Sequence, residues 1–360
     1  MITTTIMGIL AVLFAYLTRY RNVKYGLKIS FILIFIFLAL RYMFGNDYIA
    51  YLNVFEEIND FNEYDFFERT NRMEIGWLFL CRLFRPFGFF AMIAVLAVFN
   101  SVIYYNFIKK YVPIELYWFA VFIYVFSPGF MLTQLTAMRQ SLSILVFIFS
   151  LDYLFKKEAI RFFLCVGLAT LFHNSAIILI PIYFIGFFNW RINKFTAFII
   201  FSIFISLFYF SSYFSNYLTD YIGIYFKLYF DTYSDFEPAT IDSGLGVLYL
   251  SILFVLTIYY EKFQNRETAL VFKIAIISFM FIPLGMLLLF FGRIEMYFSI
   301  GLIIAYPLIF KGIKSHILKL MFSTILILIT LYTYFLFFNS EVYRKSFETY
   351  QTIFSAEKIY

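Results

Sequence analysis

The chain has 360 residues, of which 63% are apolar and only 14% are charged, and its mean hydropathy is +0.85. A soluble domain carries about 25% charged residues, so this chain has too little polar surface to cover its apolar bulk in water. The composition therefore excludes a soluble fold and predicts an all-α polytopic membrane protein. The net charge of +6 does not indicate nucleic-acid binding, because the basic residues lie in short blocks between apolar runs.

Apolar segments of roughly the 20 residues that a bilayer requires follow one another along the chain. Twelve spans are predicted, near 2–18, 28–43, 87–108, 113–131, 137–155, 159–172, 174–189, 195–211, 244–260, 268–291, 294–310 and 317–338. The sixth and seventh are short, and we expect them to form a hairpin that meets at His173 inside the bundle. No internal repeat is visible, so residues 1–360 are interpreted as one transmembrane domain with longer external loops at about 41–86 and 212–243.

Basic residues predict the orientation of these spans. Sixteen of the 28 lysines and arginines fall in the short turns that follow every second predicted span. These turns lie on one side of the membrane, which we take as cytoplasmic. Most acids fall in the two longer loops on the opposite face. The first span has its basic residues after it rather than before it, which is not typical of a signal peptide. Both termini are therefore predicted to be external.

Arginines are concentrated near helix ends on the predicted external side, where the positive-inside rule disfavours basic residues. They are Arg41, Arg69, Arg72, Arg82, Arg85, Arg139 and Arg293. A guanidinium offers two-point contacts to phosphate or carboxylate that a lysine does not provide. Two interpretations stay open: the arginines form salt bridges to acids of the 41–86 loop, or they bind an anionic ligand.

Polar residues also interrupt the apolar pattern around Met138-Arg-Gln-Ser and Leu171-Phe-His-Asn-Ser. Arg139 lies at the predicted start of a helix, where its charge opposes the helix macrodipole and an anion would relieve the conflict. His173 lies between two short apolar segments, and Asn174 or Ser175 is expected to cap the second of them. His173 is either a hydrogen-bonded packing residue or a functional base.

Four motifs in order along the chain resemble one family. They are Arg41 with Gly45-x-Asp47-Tyr48, then Glu74-x-Gly76, then Met138-Arg-Gln, and then His173-x-Ser175-Ala176. In order and approximate spacing, over residues 40–300, they resemble the EpsG-type branch of the Wzy polysaccharide polymerases. The resemblance implies an architecture like that of the multi-spanning GT-C glycosyltransferases. It also implies a bacterial inner-membrane enzyme that polymerises lipid-linked repeats for an O-antigen, a capsule or an exopolysaccharide.

Such an enzyme transfers a glycan from undecaprenyl pyrophosphate to the non-reducing end of an incoming repeat unit. The acceptor hydroxyl needs a base, for which His173 is the first candidate, and Asp47 or Glu74 either replaces it or orients it. The charged leaving group needs several charge-assisted contacts. The candidate substrate-binding residues are Arg41, Arg72, Arg139, Gln140, Arg293, Tyr297, Tyr48 and Ser175.

No metal motif is present in the sequence, so neither a metal nor another cofactor is expected, and Cys81 and Cys165 are interpreted as packing residues. The expected partners are the lipid-linked oligosaccharide, the bilayer and a chain-length regulator protein, without nucleic acid. Three alternatives stay open. An O-antigen ligase would differ in its acceptor, a flippase or secondary transporter would show two related halves, and a membrane-bound acyltransferase would need fewer external arginines.

Overall fold

A computed structural model of the chain describes residues 1–20, 23–58, 73–187, 191–225, 244–286 and 289–354. It is all-α, and its one sheet among the described residues is a pair of two-residue strands. The chain divides into two compact units. The first contains Met1–Ile185 and Ile313–Tyr360, and the second contains Gly186–Gly312. The single transmembrane domain stays a prediction.

The elements follow in chain order. The first unit contains α1 (Ile2–Leu17), α2 (Gly26–Leu40), β1 (Arg41–Tyr42), α3 (Tyr48–Glu57), α4 (Ile75–Phe84), α5 (Phe89–Tyr111), a 3-10 turn (Ile114–Leu116), α6 (Tyr117–Phe126), α7 (Met131–Thr136), α8 (Met138–Lys156), α9 (Ala159–Phe172) and a 3-10 segment (Asn174–Leu179). After α10 (Ile182–Phe187), the second unit contains α11 (Lys194–Tyr225), α12 (Gly244–Glu261), α13 (Arg266–Gly285), α14 (Leu289–Ser299) and α15 (Leu302–Gly312). The chain then returns to the first unit with α16 (His316–Asn339), α17 (Glu341–Arg344), a 3-10 turn (Lys345–Phe347) and β2 (Gln351–Thr352).

Each of the twelve predicted spans coincides with a helix or with consecutive helical segments. Among the described residues, five helices, α5, α8, α12, α13 and α16, are long and apolar enough to cross a membrane, and α14 with α15 forms a sixth candidate bent by 50°. The remaining apolar helical segments have 10–17 residues, among them the Lys194–Phe210 part of α11. The all-α membrane fold is thus confirmed, whereas the number of twelve spans and the GT-C-like arrangement stay predictions.

Side-chain burial shows why this fold suits a lipid environment. On α16, Leu320, Leu328 and Phe335 are exposed, while Leu326 and Tyr334 face the interior. Exposed aliphatic and aromatic side chains on an outer helix are favourable in lipid but not in water, because lipid tails are as apolar as the side chains themselves. The apolar residues are therefore distributed on both faces of the helix, as a membrane span requires.

Short-range chemistry fixes several helix ends. The Asn265 side chain accepts a hydrogen bond of 2.9 Å from the Thr268 amide at the start of α13, and Ser315 accepts one of 3.4 Å from Leu318 at the start of α16. Both are side-chain caps for amides that have no partner within the helix. At the end of α8, Lys157 adopts a left-handed conformation with φ of 60°, which terminates the helix.

A segment near the C-terminus, residues 340–354, crosses the end of α2 and is called the strap below. Its strand β2 pairs antiparallel with β1, with Arg41 opposite Thr352. Ile353 donates a backbone hydrogen bond of 3.0 Å to Leu40, and Ser346 accepts one of 3.1 Å from Gly45. The strap thereby holds residues 40–45 through main-chain contacts.

The two short segments on either side of His173 form a hairpin. Tyr183, near the end of the second segment, donates a hydrogen bond of 3.0 Å to the carbonyl of Lys157. Its ring also lies 5.5 Å from the ring of Phe162 on α9. These contacts return the chain along α9 and leave His173 at the apex of the hairpin.

The segment 41–86, predicted as an external loop, contains helices α3 and α4 in its described part. The helix α4 has only ten residues and carries Arg82 in its last turn. It contacts both α9 and α5. The position of Glu74, immediately before α4, is therefore set by helix packing rather than by a free loop.

Candidate functional site

Two side chains of the first unit, Arg139 and His173, converge on the carboxylate of Glu74. The Glu74 Oε1 atom lies 3.0 Å from Nδ1 of His173, and Glu74 Oε2 accepts a hydrogen bond from Nη1 of Arg139. The Glu74 and His173 side chains are 9% and 11% exposed, and that of Arg139 is 24% exposed. Glu74 therefore links Arg139 and His173 in a nearly buried cluster, which we call the Glu74 triad.

Each member of the triad comes from the end of a helix. Glu74 precedes α4 in an extended conformation, Arg139 is the second residue of α8, and His173 follows α9 with φ of −155° and ψ of 115°. Helix ends leave backbone groups without intrahelical partners. The Asn174 amide, just after His173, accordingly donates to Glu74 Oε1 over 3.4 Å.

Gly76 brings the starts of these elements close together. A Cβ atom at this position would lie 2.6 Å from the carbonyl oxygen of Leu171 in the last turn of α9. Because that neighbour is backbone, it cannot move aside as a flexible side chain would. A glycine two residues after Glu74 thus permits the close approach of α4 to α9 that places the carboxylate against His173.

The predicted conflict between Arg139 and the helix macrodipole is resolved within the protein. Glu74, an acid of the 41–86 segment, supplies the anion at the start of α8, so the salt-bridge interpretation holds for Arg139. The expected capping of the segment after His173 by Asn174 or Ser175 is wrong, because His173 itself occupies the N-cap position and makes no side-chain cap. The carboxylate of Glu74 approaches that segment's first amide instead.

The electrostatics of the cluster determine the ionisation state of the Glu74 carboxyl. Burial by itself raises the pKa of the Glu74 carboxyl, but the hydrogen bond to His173 and the charge of Arg139 outweigh it and lower the pKa to about 2. An ionised carboxylate only accepts hydrogen bonds, so Nδ1 of His173 must carry the proton that is shared with it. In a neutral imidazole the lone pair is then on Nε2.

The Nε2 atom of His173 is buried and has no hydrogen-bond partner in the part of the chain that the structure describes. A histidine that served only packing would be expected to use both ring nitrogens or to point one at solvent. The arrangement, with one nitrogen held by a carboxylate and the other free to accept a proton, is the one that a general base requires.

Aromatic side chains line the Arg139 side of the triad. The guanidinium carbon of Arg139 lies 5.8 Å from the ring centroid of Tyr51, a cation–π distance. The Tyr51 ring in turn lies 4.8 Å from the ring of Trp77. Both aromatic residues are buried, so this side of Arg139 faces the interior of the first unit.

Arg41 forms a second polar site in the same unit. Its side chain is fully buried, its Nη2 atom donates a hydrogen bond of 2.9 Å to the Gln134 carbonyl, and its guanidinium lies 5.8 Å from the Tyr48 ring. Its Nε and Nη1 atoms have no hydrogen-bond partner among the described residues. A guanidinium keeps its charge at neutral pH even when it is buried, so Arg41 is a cation here.

Gly45 positions the backbone beside Arg41. Its φ of +132° is a conformation that residues with a side chain rarely adopt. A Cβ atom there would also lie 1.9 Å from the Leu135 carbonyl oxygen. The Gly45-x-Asp47-Tyr48 pattern thus has a local cause, because only glycine lets the chain turn from β1 against α7.

The other predicted site residues have the following positions. Tyr48, Gln140 and Ser175 are buried in the first unit, and Asp47, which immediately precedes α3, accepts a hydrogen bond of 3.2 Å from Asn46. Tyr297 is buried and Arg293 is half-buried on α14 of the second unit. Arg72 lies outside the described residues.

Two residues near Arg41 escaped prediction. Gln134 uses its main-chain carbonyl, which carries no sequence signature. Tyr350 of the strap stacks on Phe37 at 4.7 Å and lies within electrostatic range of Arg41. Because Tyr350 is far from Arg41 along the chain, the sequence gave no indication that the two residues are close in space. Among the described residues no group of histidines, cysteines and acids is arranged to hold a metal ion.

Fold and site together define a polytopic helical membrane protein with a buried carboxylate–histidine pair and buried arginines. The family model of the EpsG family matches residues 24–352. The chain belongs to the EpsG family, which is associated with polysaccharide polymerases of the Wzy type and with a lipid-linked saccharide substrate in a membrane. No curated protein and no solved structure matches the chain.

Proposed function

We propose that the protein is a glycosyltransferase that polymerises oligosaccharide repeats carried on undecaprenyl pyrophosphate. The growing glycan is transferred from its lipid carrier to the non-reducing end of an incoming lipid-linked repeat. The product is an O-antigen, a capsule or an exopolysaccharide. Membership of the EpsG family gives the class of enzyme, and the Glu74 triad gives the residues for its chemistry.

The observation that carries this proposal is the free Nε2 atom of His173, held opposite a nitrogen that is bonded to Glu74. In the transfer, the acceptor hydroxyl oxygen bonds to the anomeric carbon of the donor glycan. The hydroxyl proton passes to His173 Nε2. The bond between the anomeric carbon and the pyrophosphate oxygen breaks, and its electron pair leaves on the polyprenyl pyrophosphate. Glu74 stabilises the imidazolium that forms.

The reaction also requires stabilisation of the negative charge on the leaving pyrophosphate, and arginines can provide it. Arg41 is the strongest candidate in the described part of the first unit, because it retains two unpartnered donor atoms. Arg139 has committed one donor atom to Glu74, so we assign it first to holding the triad. Arg293 and Arg72 complete the proposed set, with Gln140, Ser175, Tyr48 and Tyr297 as further substrate contacts. Asp47 is proposed as a reserve base or a sugar contact.

The proposed location is the bacterial inner membrane with both termini and the active site on the external face. The lysine-rich short turns support this orientation. A chain-length regulator protein is the proposed protein partner. No specific observation favours the ligase, transporter or acyltransferase alternatives.

Purified protein in detergent, supplied with purified lipid-linked repeat, tests the proposal without any membrane to cross. We expect wild type to form polymer and His173→Ala to lose roughly 10²–10⁴-fold in rate. His316→Ala is the matched control, because that histidine is exposed at the start of α16. Absence of polymer from wild type with its genuine substrate would contradict the proposed polymerase activity. A normal rate in His173→Ala would contradict only the assignment of His173 as the base, and Asp47 or Glu74 would then be the candidate base.

A further inference from the structure

A break in the first unit separates α7 from α8. Ala137 lies between the two helices with φ of −105° and ψ of 71°, outside the helical range. Its amide donates a hydrogen bond of 2.8 Å to the Thr133 carbonyl, and its carbonyl accepts one of 2.9 Å from the Ser141 amide. Each of these bonds ends on Ala137 itself, so neither joins α7 directly to α8.

A side-chain hydrogen bond does join the two helices across the break. The Ser141 hydroxyl, near the start of α8, donates over 2.8 Å to Oε1 of Gln134 on α7. Both residues are buried, so the amide oxygen would be left without a partner if the hydroxyl were removed. The bond therefore holds Gln134 at a fixed place relative to the start of α8.

The same glutamine holds Arg41. Gln134 lies in the last turn of α7, where carbonyl groups lack intrahelical partners, and its carbonyl accepts the 2.9 Å hydrogen bond from Nη2 of Arg41. Two residues before Ser141, Arg139 binds Glu74 of the triad. Gln134 therefore connects the helix that carries the arginine of the triad to the guanidinium of Arg41, which retains two donor atoms without a hydrogen-bond partner among the described residues.

We propose that Ser141 is a positioning residue of the polymerase, which acts through Gln134 to hold Arg41 at a fixed place relative to the triad. The inference rests on the proposed function, in which His173 accepts the proton of the acceptor hydroxyl and Arg41 stabilises the leaving pyrophosphate. The bond that forms and the bond that breaks share the anomeric carbon, so the base and the guanidinium must keep a fixed separation. Ser141 does not touch the reacting atoms in this scheme.

Binding of undecaprenyl pyrophosphate, titrated into purified protein in detergent, tests this role without the polymerisation reaction. A neutral hydrogen bond corresponds to roughly 2- to 10-fold in an equilibrium constant, so Ser141→Ala should raise Kd by that factor. In an Arg41→Met background the serine exchange should leave Kd unchanged, because the serine acts through Arg41. Ser150→Ala is the matched control, since this buried serine of α8 donates over 2.7 Å to the Phe147 carbonyl of its own helix.

A double variant separates positioning from stability. Ser141→Ala leaves a buried acceptor unpaired, whereas Ser141→Ala with Gln134→Met removes both polar partners, which is close to neutral for folding. The double variant should unfold near the wild-type temperature and still show the raised Kd, which keeps the inference testable if the single variant does not fold. A wild-type Kd in the double variant, or an equal rise in Ser150→Ala, would overturn the positioning role. Failure of the polymerase itself is a different result, in which wild type would form no polymer from the lipid-linked repeat.

Discussion

Replacing Glu74 by glutamine tests the logic of the triad most directly. The glutamine keeps the shape of the side chain but offers one acceptor oxygen and one amide donor, where the carboxylate accepts from both Arg139 and His173. If the oxygen stays on Arg139, the amide donor faces Nδ1 of His173. The imidazole must then accept at Nδ1 and carry its proton on Nε2, which removes the base from the substrate side.

The expected loss of rate follows from this tautomer change. A catalytic histidine held in the wrong tautomer loses about 10⁴-fold in rate in a well-studied hydrolase, and removal of a general base costs roughly 10²–10⁴-fold. We expect Glu74→Gln to lie in the same range as His173→Ala. Because the two residues act as one unit, the double variant should be no slower than the slower single variant.

Glu74→Gln should also destabilise the protein. It leaves the charge of Arg139, whose side chain is 24% exposed, without a counter-ion, at a cost of about 1–3 kcal/mol. The control is Glu158→Gln, since Glu158 pairs with Arg161 at 2.7 Å and the two side chains are 33% and 66% exposed. Exposed pairs contribute about 1 kcal/mol or less. The assays are initial polymerisation rates and thermal unfolding in detergent. A Glu74→Gln protein that polymerises within threefold of wild type would refute the orienting role.

Further outcomes follow from single features of the molecule. Cysteine labelling should find positions near Asp235 accessible from outside and positions near Lys157 only after the inner membrane is permeabilised; the reverse result would overturn the orientation. Arg41→Lys should abolish most polymer in a protein that still inserts, since lysine lacks the guanidinium fork, and a normal polymer ladder would make Arg41 structural. Gly76→Ala should cost about 1–3 kcal/mol in stability, because its Cβ would meet backbone at 2.6 Å; an unchanged melting temperature would contradict the tight packing. The lowered pKa of Glu74 stabilises the folded state above the ordinary carboxyl pKa of about 4.3, and this contribution disappears as pH falls from there towards 2. Between those values the melting temperature should fall more steeply in wild type than in Glu74→Gln. Parallel curves of melting temperature against pH would refute this contribution of Glu74.

The sequence predicted the helices well because an apolar run of membrane length is a strong signal that local composition carries. Arg139 and His173 were recognisable for the same reason, since each interrupts such a run. The helix α4 was missed because it has only ten residues and carries Arg82. A search for membrane-length apolar segments passes over so short a helix.

The contacts that join the site were beyond prediction from one sequence. Glu74 was expected as a base or an orienting group, but its simultaneous contact with Arg139 and His173 spans 65 and 99 residues along the chain. Such contacts depend on how helices pack and leave no periodic trace. The partner of Arg41 is similarly hidden, because a main-chain carbonyl has no residue preference.

The strap makes the completion of the Arg41 site a late event in folding. Arg41 emerges early from the ribosome, yet its strand pairs with Thr352, and the Met1 amino group donates a hydrogen bond of 3.3 Å to the Phe347 carbonyl. Closing so long a stretch of chain is slow compared with forming local helices. During synthesis residues 40–45 therefore stay unpaired until the strap has been synthesised. Enclosure of Arg41 thus reports that the first unit has been assembled from both of its distant parts.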